Sequence, residues 1–519
     1  MSHGRRVLSI ATGTLASRVT GLIRVLVLAW VLGFTPIADS FNLANTVPNM
    51  LFDLVLGGVA SATFIPVFVE RLALDGERRA WRSISSVVTA STIVLAVASA
   101  LAWFAAPAII DGFTALAHSS STVSGQRGLA TSLLRWFAPQ IFFYGVIGVS
   151  SALLNVRQRF AAVAWVPVAN NAVCIAVLVW FHLVDPSPTL SGLAGTRPLL
   201  LLGLGTTAGV AVQFLCLAPS LARASLWRLS PRLDLADPAV RAVARLGSWT
   251  LLVVVANQAA LYVVLAFAFG IGGHGPVSAY TYGWSFMQMP YAVVVVSVLA
   301  AITPQLAGLS TAGDLDGLAE RLRFGLRQSL VIIVPCALFL MLLAQPLVAI
   351  ALNHANGTSR LGAGVVLAVL AAGLPGFTVF QLCVRGLQSM QRARDVFALY
   401  LVENAVNVVL AIALGRHSLA GLTASVSLAY TGAAVLALAA LRRRGVRIAG
   451  AVWGRHVRRS LYASLVAVAA TAAAYAASGA ERGGALVARF ALALGVGAVV
   501  FVAGIALGSR RVDRRRSLV

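Results

Sequence analysis

The sequence predicts an all-α integral membrane protein of about fourteen transmembrane helices, built as two parallel six-helix repeats followed by two further helices. Three observations predict it. Apolar residues make up 59% of the chain and charged residues only 11%, whereas about a quarter of a soluble domain is charged. The apolar residues collect into fourteen long segments, most of them exceeding the ~20 residues an α-helix needs to cross the hydrocarbon core. The charge left between the segments alternates from one connection to the next.

In chain order the predicted spans are 7–33, 40–69, 85–110, 130–155, 160–184, 197–222 and 246–271. They continue with 276–306, 327–350, 361–384, 397–415, 419–441, 457–479 and 484–508. All 40 basic residues are arginines. Arg5 and Arg6 precede the first span, and every second connection after it is arginine-rich, up to the run Arg442, Arg443, Arg444, Arg447, Arg455, Arg458 and Arg459 and the tail from Arg510 to Arg516. Thirty-one arginines fall on that side, against five (Arg127, Arg197, Arg360, Arg416, Arg482) in the intervening connections. The positive-inside rule then places both termini in the cytoplasm. The net charge of +24 is read as this topology signal plus attraction to anionic lipid headgroups. Nucleic-acid binding is disfavoured, because the arginines are scattered over short loops.

An internal repeat organises the spans. LNVRQRF from Leu154 and LQSMQRA from Leu387 share a Gln-Arg pair, Gln158-Arg159 and Gln391-Arg392. The triplet Asn-Ala-Val follows at Asn171 and at Asn404, so both matches lie at one offset of 233 residues. Each copy begins in an arginine-rich connection and enters a span. Parallel repeats about an axis along the membrane normal are a transporter architecture with the substrate site between the halves. The expected division is 1–225 for the first six-helix bundle, 226–445 for the second, and 446–519 for two more helices and a basic tail.

Charge inside the spans marks the candidate site. Arg18 and Arg24 lie in the first span, and a charge at mid-bilayer costs about 2.5–3.5 kcal/mol on insertion scales. Guanidinium groups bind phosphate oxygens bidentately, so the pair points to an anionic cargo; for Arg18 the alternative is snorkelling to the interface. In the second span Asp39, Asn42, Thr46, Asn49 and Asp53 step by three and four, one helical face. That seam reads either as a cavity lining or as interhelical hydrogen bonding. Asp53 is the expected counter-ion for a first-span arginine, and Gly57-Gly58 a hinge or close-packing point. Glu403, with Asn407 one turn on and Thr423 and Ser427 repeating the spacing in the next span, supplies hard oxygen donors for a small hard cation. A proton carrier and a structural acid are the alternatives for Glu403. Arg135 and Arg489 sit shallow in their spans and read as interface anchors. The four cysteines read as buried packing residues without metal-ligand spacing.

Enzyme signatures are missing: the sequence has no Gly-rich phosphate loop, no HExxH and no nucleophile elbow. Two further classes are weighed against a transporter of an anionic cargo: a drug exporter, and a membrane scaffold with no transport of its own.

SRVTGLIR at 17–24, ADSFNLANTVPN at 38–49, FIP at 64–66, TYGWSFMQMP at 281–290 and RGLQSMQRARD at 385–395 together resemble the MurJ (MviN) family of lipid II flippases. The resemblance covers nearly the whole chain. It implies the MOP exporter fold, with two six-helix bundles around a central cavity and two further helices forming a lipid-facing groove. It implies alternating access in the bacterial cytoplasmic membrane, with the undecaprenyl-pyrophosphate-linked peptidoglycan precursor as cargo. Membrane lipids and cell-wall synthesis or division proteins are the other implied partners. The alternatives the resemblance leaves are a same-fold exporter of another lipid-linked saccharide or a drug and a non-transporting membrane scaffold for cell-wall synthesis. Arg18, Arg24 and Asp39 fall on family positions important for function, and Asn49 and Asp53 complete the expected substrate-binding set. Two departures stand out: Phe52-Asp53 replaces a basic pair found in many members, and the eighth span carries Ser285 and Gln288 where a charge is common. Glu403, Asn407 and Thr423 resemble a sodium site of some members, with the acid displaced by a turn.

Overall fold

Helix is the regular structure throughout the described residues, as lipid demands of any chain that crosses it singly: only internal hydrogen bonds satisfy the backbone there. The computed structural model describes residues 3–53, 64–74, 76–193, 197–224, 229–272, 275–351, 357–416, 418–452, 454–477 and 484–516. Among them, thirteen helical stretches are long and apolar enough to cross a membrane. The second predicted span, 40–69, lies over a 17-residue helix, the residues 54–63 outside the described set, and the start of the next helix. Gly57-Gly58 also lies outside the described residues.

The first half of the chain runs α1 (His3–Leu32), α2 (Pro36–Phe52), α3 (Ile65–Leu74), α4 (Gly76–Phe104), α5 (Ala106–Phe113), α6 (Ser121–Val156), α7 (Phe160–Val184), α8 (Leu190–Leu193), α9 (Arg197–Ala222) and α10 (Pro238–Ile271). The second runs α11 (Pro276–Pro290), a π-helical turn (Tyr291–Val295), α12 (Val296–Thr311), α13 (Leu315–Leu342), α14 (Ala344–Ala351), α15 (Gly357–Ser389), α16 (Ala393–Leu414), α17 (Leu419–Arg443), α18 (Ala449–Val452), α19 (Arg455–Ala477) and α20 (Gly484–Arg516). The contacts divide the chain into two units, Met1–Ser278 and Ala279–Val519.

Three predicted spans prove interrupted, one of them, 327–350, at Leu343 between α13 and α14. The stretch 85–110 breaks at Ala105, before a short helix with proline in its first turn, where the missing N–H costs nothing. The stretch 276–306 widens into a π turn directly after Pro290, with the Val296 N–H reaching back to the Tyr291 carbonyl. Proline removes a ladder donor, and a π turn is one way for a helix to absorb the defect.

In the first unit α1 packs on α7, α7 on α9, and α6 against α2, α4 and α9. Polar side chains join these helices: the Ser40 hydroxyl donates to the Gln126 carbonyl of α6 (3.1 Å), and the Gln140 amide donates to Thr207 of α9 (3.0 Å). Such bonds contribute about 0.6 kcal/mol each on average in a membrane protein. In the second unit α15 packs on α17 and α13, α16 on α17, and α19 on α13 and α20. Gly373 is the reason α15 and α17 approach so closely, since a Cβ there would come within 2.8 Å of the Ser427 Cα. Ser427 then donates to the Val369 carbonyl across the same seam (2.8 Å). Large apolar side chains point outward instead: Phe104, Leu183 and Val499 are about 70% exposed, the surface a lipid-facing helix presents.

The Gln-Arg repeat is visible in the backbone. Gln158 and Gln391 both adopt φ of 56°, the left-handed region, and no other non-glycine residue among those described does so. In each copy the following arginine N–H bonds to a carbonyl five residues back, Arg159 to Leu154 (2.8 Å) and Arg392 to Leu387 (3.0 Å). That is the Schellman closure of a helix end, built twice at the same offset.

Candidate functional site

Arg24 is half-buried on α1, with the Cys174 thiol of α7 in hydrogen-bonding reach and Tyr144 of α6 nearby. α7 is fixed against α1 by Asn171, whose amide donates to the Ser17 carbonyl (3.2 Å) and the Thr20 hydroxyl (3.0 Å). Arg18, one and a half turns earlier, is exposed. Among the described residues neither arginine is paired with a carboxylate.

The α2 seam divides in two. Thr35 caps the helix and Pro36 opens it, which puts Asp39 in the first turn, fully buried. Its carboxylate accepts from both the N–H (2.8 Å) and the hydroxyl (2.7 Å) of Ser278, and the Asn42 amide donates to the same hydroxyl (3.0 Å). Gly275 makes this approach feasible: its φ is +75°, and a Cβ there would lie 2.6 Å from the Phe34 Cα. Farther along, Thr46 and Asn49 donate to carbonyls of their own helix, Asn42 and Asn45. Asp53, at the exposed C-terminal end of α2, accepts from Gln258 of α10 (3.2 Å), so its partner is an amide rather than Arg18 or Arg24. The structure thus joins Asp39 with Asn42 through Ser278, and among the described residues no hydrogen bond or ion pair links Arg24, Arg18 or Asp53 to that pair.

In the second unit Glu403 is 2% exposed and its Oε2 has no hydrogen-bond partner. The phenols of Tyr280, Tyr400 and Tyr430 are close enough to feel its charge, and Tyr430 also packs on Phe377 and Phe380. Asn407 is buried and accepts from Ser425 (2.9 Å), while Thr423 donates to the Leu419 and Ala420 carbonyls. Ser427 faces α15, so Ser425 is the α17 hydroxyl that meets Asn407. One buried carboxylate with an orphaned oxygen, with the Asn407 amide one turn on along the same helix, suits one monovalent cation or one proton. Clusters of three or more His, Cys, Asp or Glu are absent among the described residues.

Sequence reasoning missed Ser278, Gln258, Cys174 and Ser425. It did contain a pointer to Glu403, which lies 233 residues beyond Asn170, next to the repeated Asn171 and Asn404. The shallow arginines are anchored by aromatic residues: Arg135 lies over Trp103 (5.4 Å) and Arg489 over Tyr475 (3.9 Å). The cysteines are not uniformly buried. Cys174 and Cys383 are, whereas Cys336 is intermediate and Cys216 is exposed on α9.

The family described as lipid II flippase MurJ matches residues 28–494. The chain belongs to the MurJ family. Among MurJ relatives, the lipid II flippase MurJ of Burkholderia cenocepacia is 28% identical over 90% of this chain and 89% of its own length. A probable lipid II flippase MurJ of Vibrio cholerae is 27% identical over 77% and 75%. A solved lipid II flippase MurJ in an inward closed conformation superposes with a TM-score of 0.77 at 19% identity, covering 97% of this chain and 99% of that one. An inward-facing multidrug resistance MATE family transporter of the MOP superfamily gives 0.68 at 15% identity, over 84% and 96%. The MurJ fold and the wider MOP fold are thereby the fold of this multi-pass membrane protein.

Proposed function

We propose that this chain is a lipid II flippase of the bacterial cytoplasmic membrane. It carries the undecaprenyl-pyrophosphate-linked peptidoglycan precursor from the inner to the outer leaflet by alternating access, with both termini cytoplasmic. The MurJ family match across 28–494 carries this reading. Arg24 and Arg18, charged side chains on an apolar helix without a carboxylate partner among the described residues, are the groups to meet the pyrophosphate, because a guanidinium fork matches phosphate oxygens. Asn49 and Asp53 contribute polar contacts to the cargo, and Asp39 holds the end of α2 in place. The functional division follows 1–225, 226–445 and 446–519.

Glu403, Asn407 and Thr423, with Ser425, form the coupling site for Na+ or H+. The unpartnered Glu403 oxygen supports this reading, since a buried lone pair without a donor is costly unless a cation or proton meets it. Cell-wall synthesis or division proteins are the partners expected at the membrane. The deciding experiment is genetic: this chain, expressed in a bacterium depleted of its own lipid II flippase, sustains growth and restores outer-leaflet lipid II. A correctly inserted protein that leaves lipid II on the inner leaflet overturns the proposal.

A further inference from the structure

Two cavities of the second unit adjoin at the start of α19. The first, 630 Å³, is lined by Arg321, Arg323, Phe324 and Arg327 of α13 and by His456 and Val457 of α19. Its walls are strongly cationic. The Arg321 and Arg327 guanidinium groups both lie over the Phe324 ring, at 5.2 and 5.8 Å, and Arg455 and Arg459 crowd His456. Glu320 is the acid in the lining. Arg321 donates through Nε to Gln305, and Arg323 through Nε to the Arg447 carbonyl. These bonds fix the stems, and among the described residues none of the three α13 guanidinium groups meets a carboxylate. Like charges gathered this way repel one another unless an anion joins them.

The second cavity, 430 Å³, is apolar and runs from the same residue, Val457, along α13 between Leu330 and Met341, with Val435 of α17 on its far wall and Arg458 at its mouth. Val435 is 63% and Met341 40% exposed, so the groove opens to the bilayer. Leu330 and Met341 are eleven residues apart, about 16 Å along a helix. That is half of the ~30 Å hydrocarbon core, the depth of one leaflet. At roughly 30 Å³ for each water-sized group, the volume takes about fourteen such groups, one acyl chain.

We propose that the joined cavities hold one anionic glycerophospholipid of the leaflet on the arginine-rich side, its phosphate among Arg321, Arg327 and His456 and one acyl chain along α13. Basic pockets between membrane helices recognise anionic headgroups in this way. The half-core depth distinguishes this occupant from a polyprenyl cargo, which is much longer than one leaflet is deep. The site lies within the second unit.

The test is a lipid titration of the delipidated full-length protein in mild detergent, followed by native mass spectrometry. Phosphatidylglycerol and phosphatidylcholine with identical chains are compared. The first phosphatidylglycerol should bind roughly tenfold more tightly than phosphatidylcholine. Arg321→Gln with Arg327→Gln should weaken it roughly thirty-fold, while the paired lysine substitutions retain most of the preference and show that the site survives mutation. Leu338→Trp, which fills the groove, should weaken both lipids. Equal affinity for the two lipids overturns the proposal, as does an undiminished preference in the glutamine variant or unaltered binding in the tryptophan variant. Competition by glycerol phosphate at the lipid's own concentration would reduce the site to a bare anion pocket. One-for-one displacement by undecaprenyl pyrophosphate would assign it to the cargo instead.

Discussion

Arg24 combines a full charge, partial burial and a soft neighbour, the Cys174 thiol. A thiol stabilises a guanidinium weakly, which leaves Arg24 open to the phosphate contact proposed for it. Arg24→Ala is expected to abolish rescue of a flippase-depleted host at normal expression and insertion, and Arg24→Lys to restore only part of it, because an ammonium cannot bind two oxygens side by side. Full complementation by the alanine variant would refute the clamp. Glu403→Gln keeps the shape but removes the charge. Flipping by this variant is expected to lose its dependence on sodium or on pH, whichever the parent protein displays. A near-normal rate with the ion and pH profile intact would mark Glu403 as structural. At this scale the sequence was half legible. An arginine amid leucine and valine announces itself through its desolvation cost, but the Asp39 partner Ser278 lies 239 residues away, and no local pattern encodes a contact at that distance.

Helices α7 and α9 begin and end where the apolar runs at 160–184 and 197–222 do. Helix α13 instead begins at Leu315, twelve residues before its predicted span, capped by Asp314. The apolar pattern marks only the part of a helix that lies in hydrocarbon, while the arginine-bearing first turns continue it into the interface. The matching turns at Gln158 and Gln391 show why a repeat faint in sequence is exact in geometry: the backbone needs one left-handed residue there, and many residues fit at a cost of about 1–2 kcal/mol. Gln391→Gly is therefore expected to leave thermal stability unchanged or slightly raised, and Gln391→Val to lower it by about 1–2 kcal/mol, because a β-branched side chain resists positive φ. Thermal unfolding in detergent measures both, and a valine variant as stable as the parent would contradict the strained turn. Gly373→Leu should separate α15 from α17, which the same assay would register as a loss of several degrees or failure to purify as a monodisperse species.

For the whole molecule the testable quantity is sidedness. In a background lacking Cys174, Cys216, Cys336 and Cys383, single cysteines at the exposed positions Ser119 and Ser187 should react with an impermeant thiol reagent added outside the cell. Cysteines at Ser230 and Ala312, also exposed, should react only after the membrane is opened. Reversal at any one of the four would invert the arginine assignment for that connection. Architecture at this scale was readable because lipid leaves a chain few choices, and arginine placement and hydrophobic length together determine most of them. The breaks at Ala105 and Pro290 were not, since each depends on how a local defect is resolved by neighbours.

The Gln391 turn also acts as a gauge of length. It ends α15 and starts α16 two residues later with no slack between them. A single inserted residue at Ala393 would turn everything downstream on α16 by about 100°. Glu403 and Asn407 would then leave the packed side of the helix and face acyl chains, where a carboxylate costs about 2.5–3.5 kcal/mol or must give up its charge. The spacing between this turn and its acid is consequently as constrained as the acid itself, and a chain of this family that lengthens the segment would have to lose the carboxylate or move it by a full helical turn.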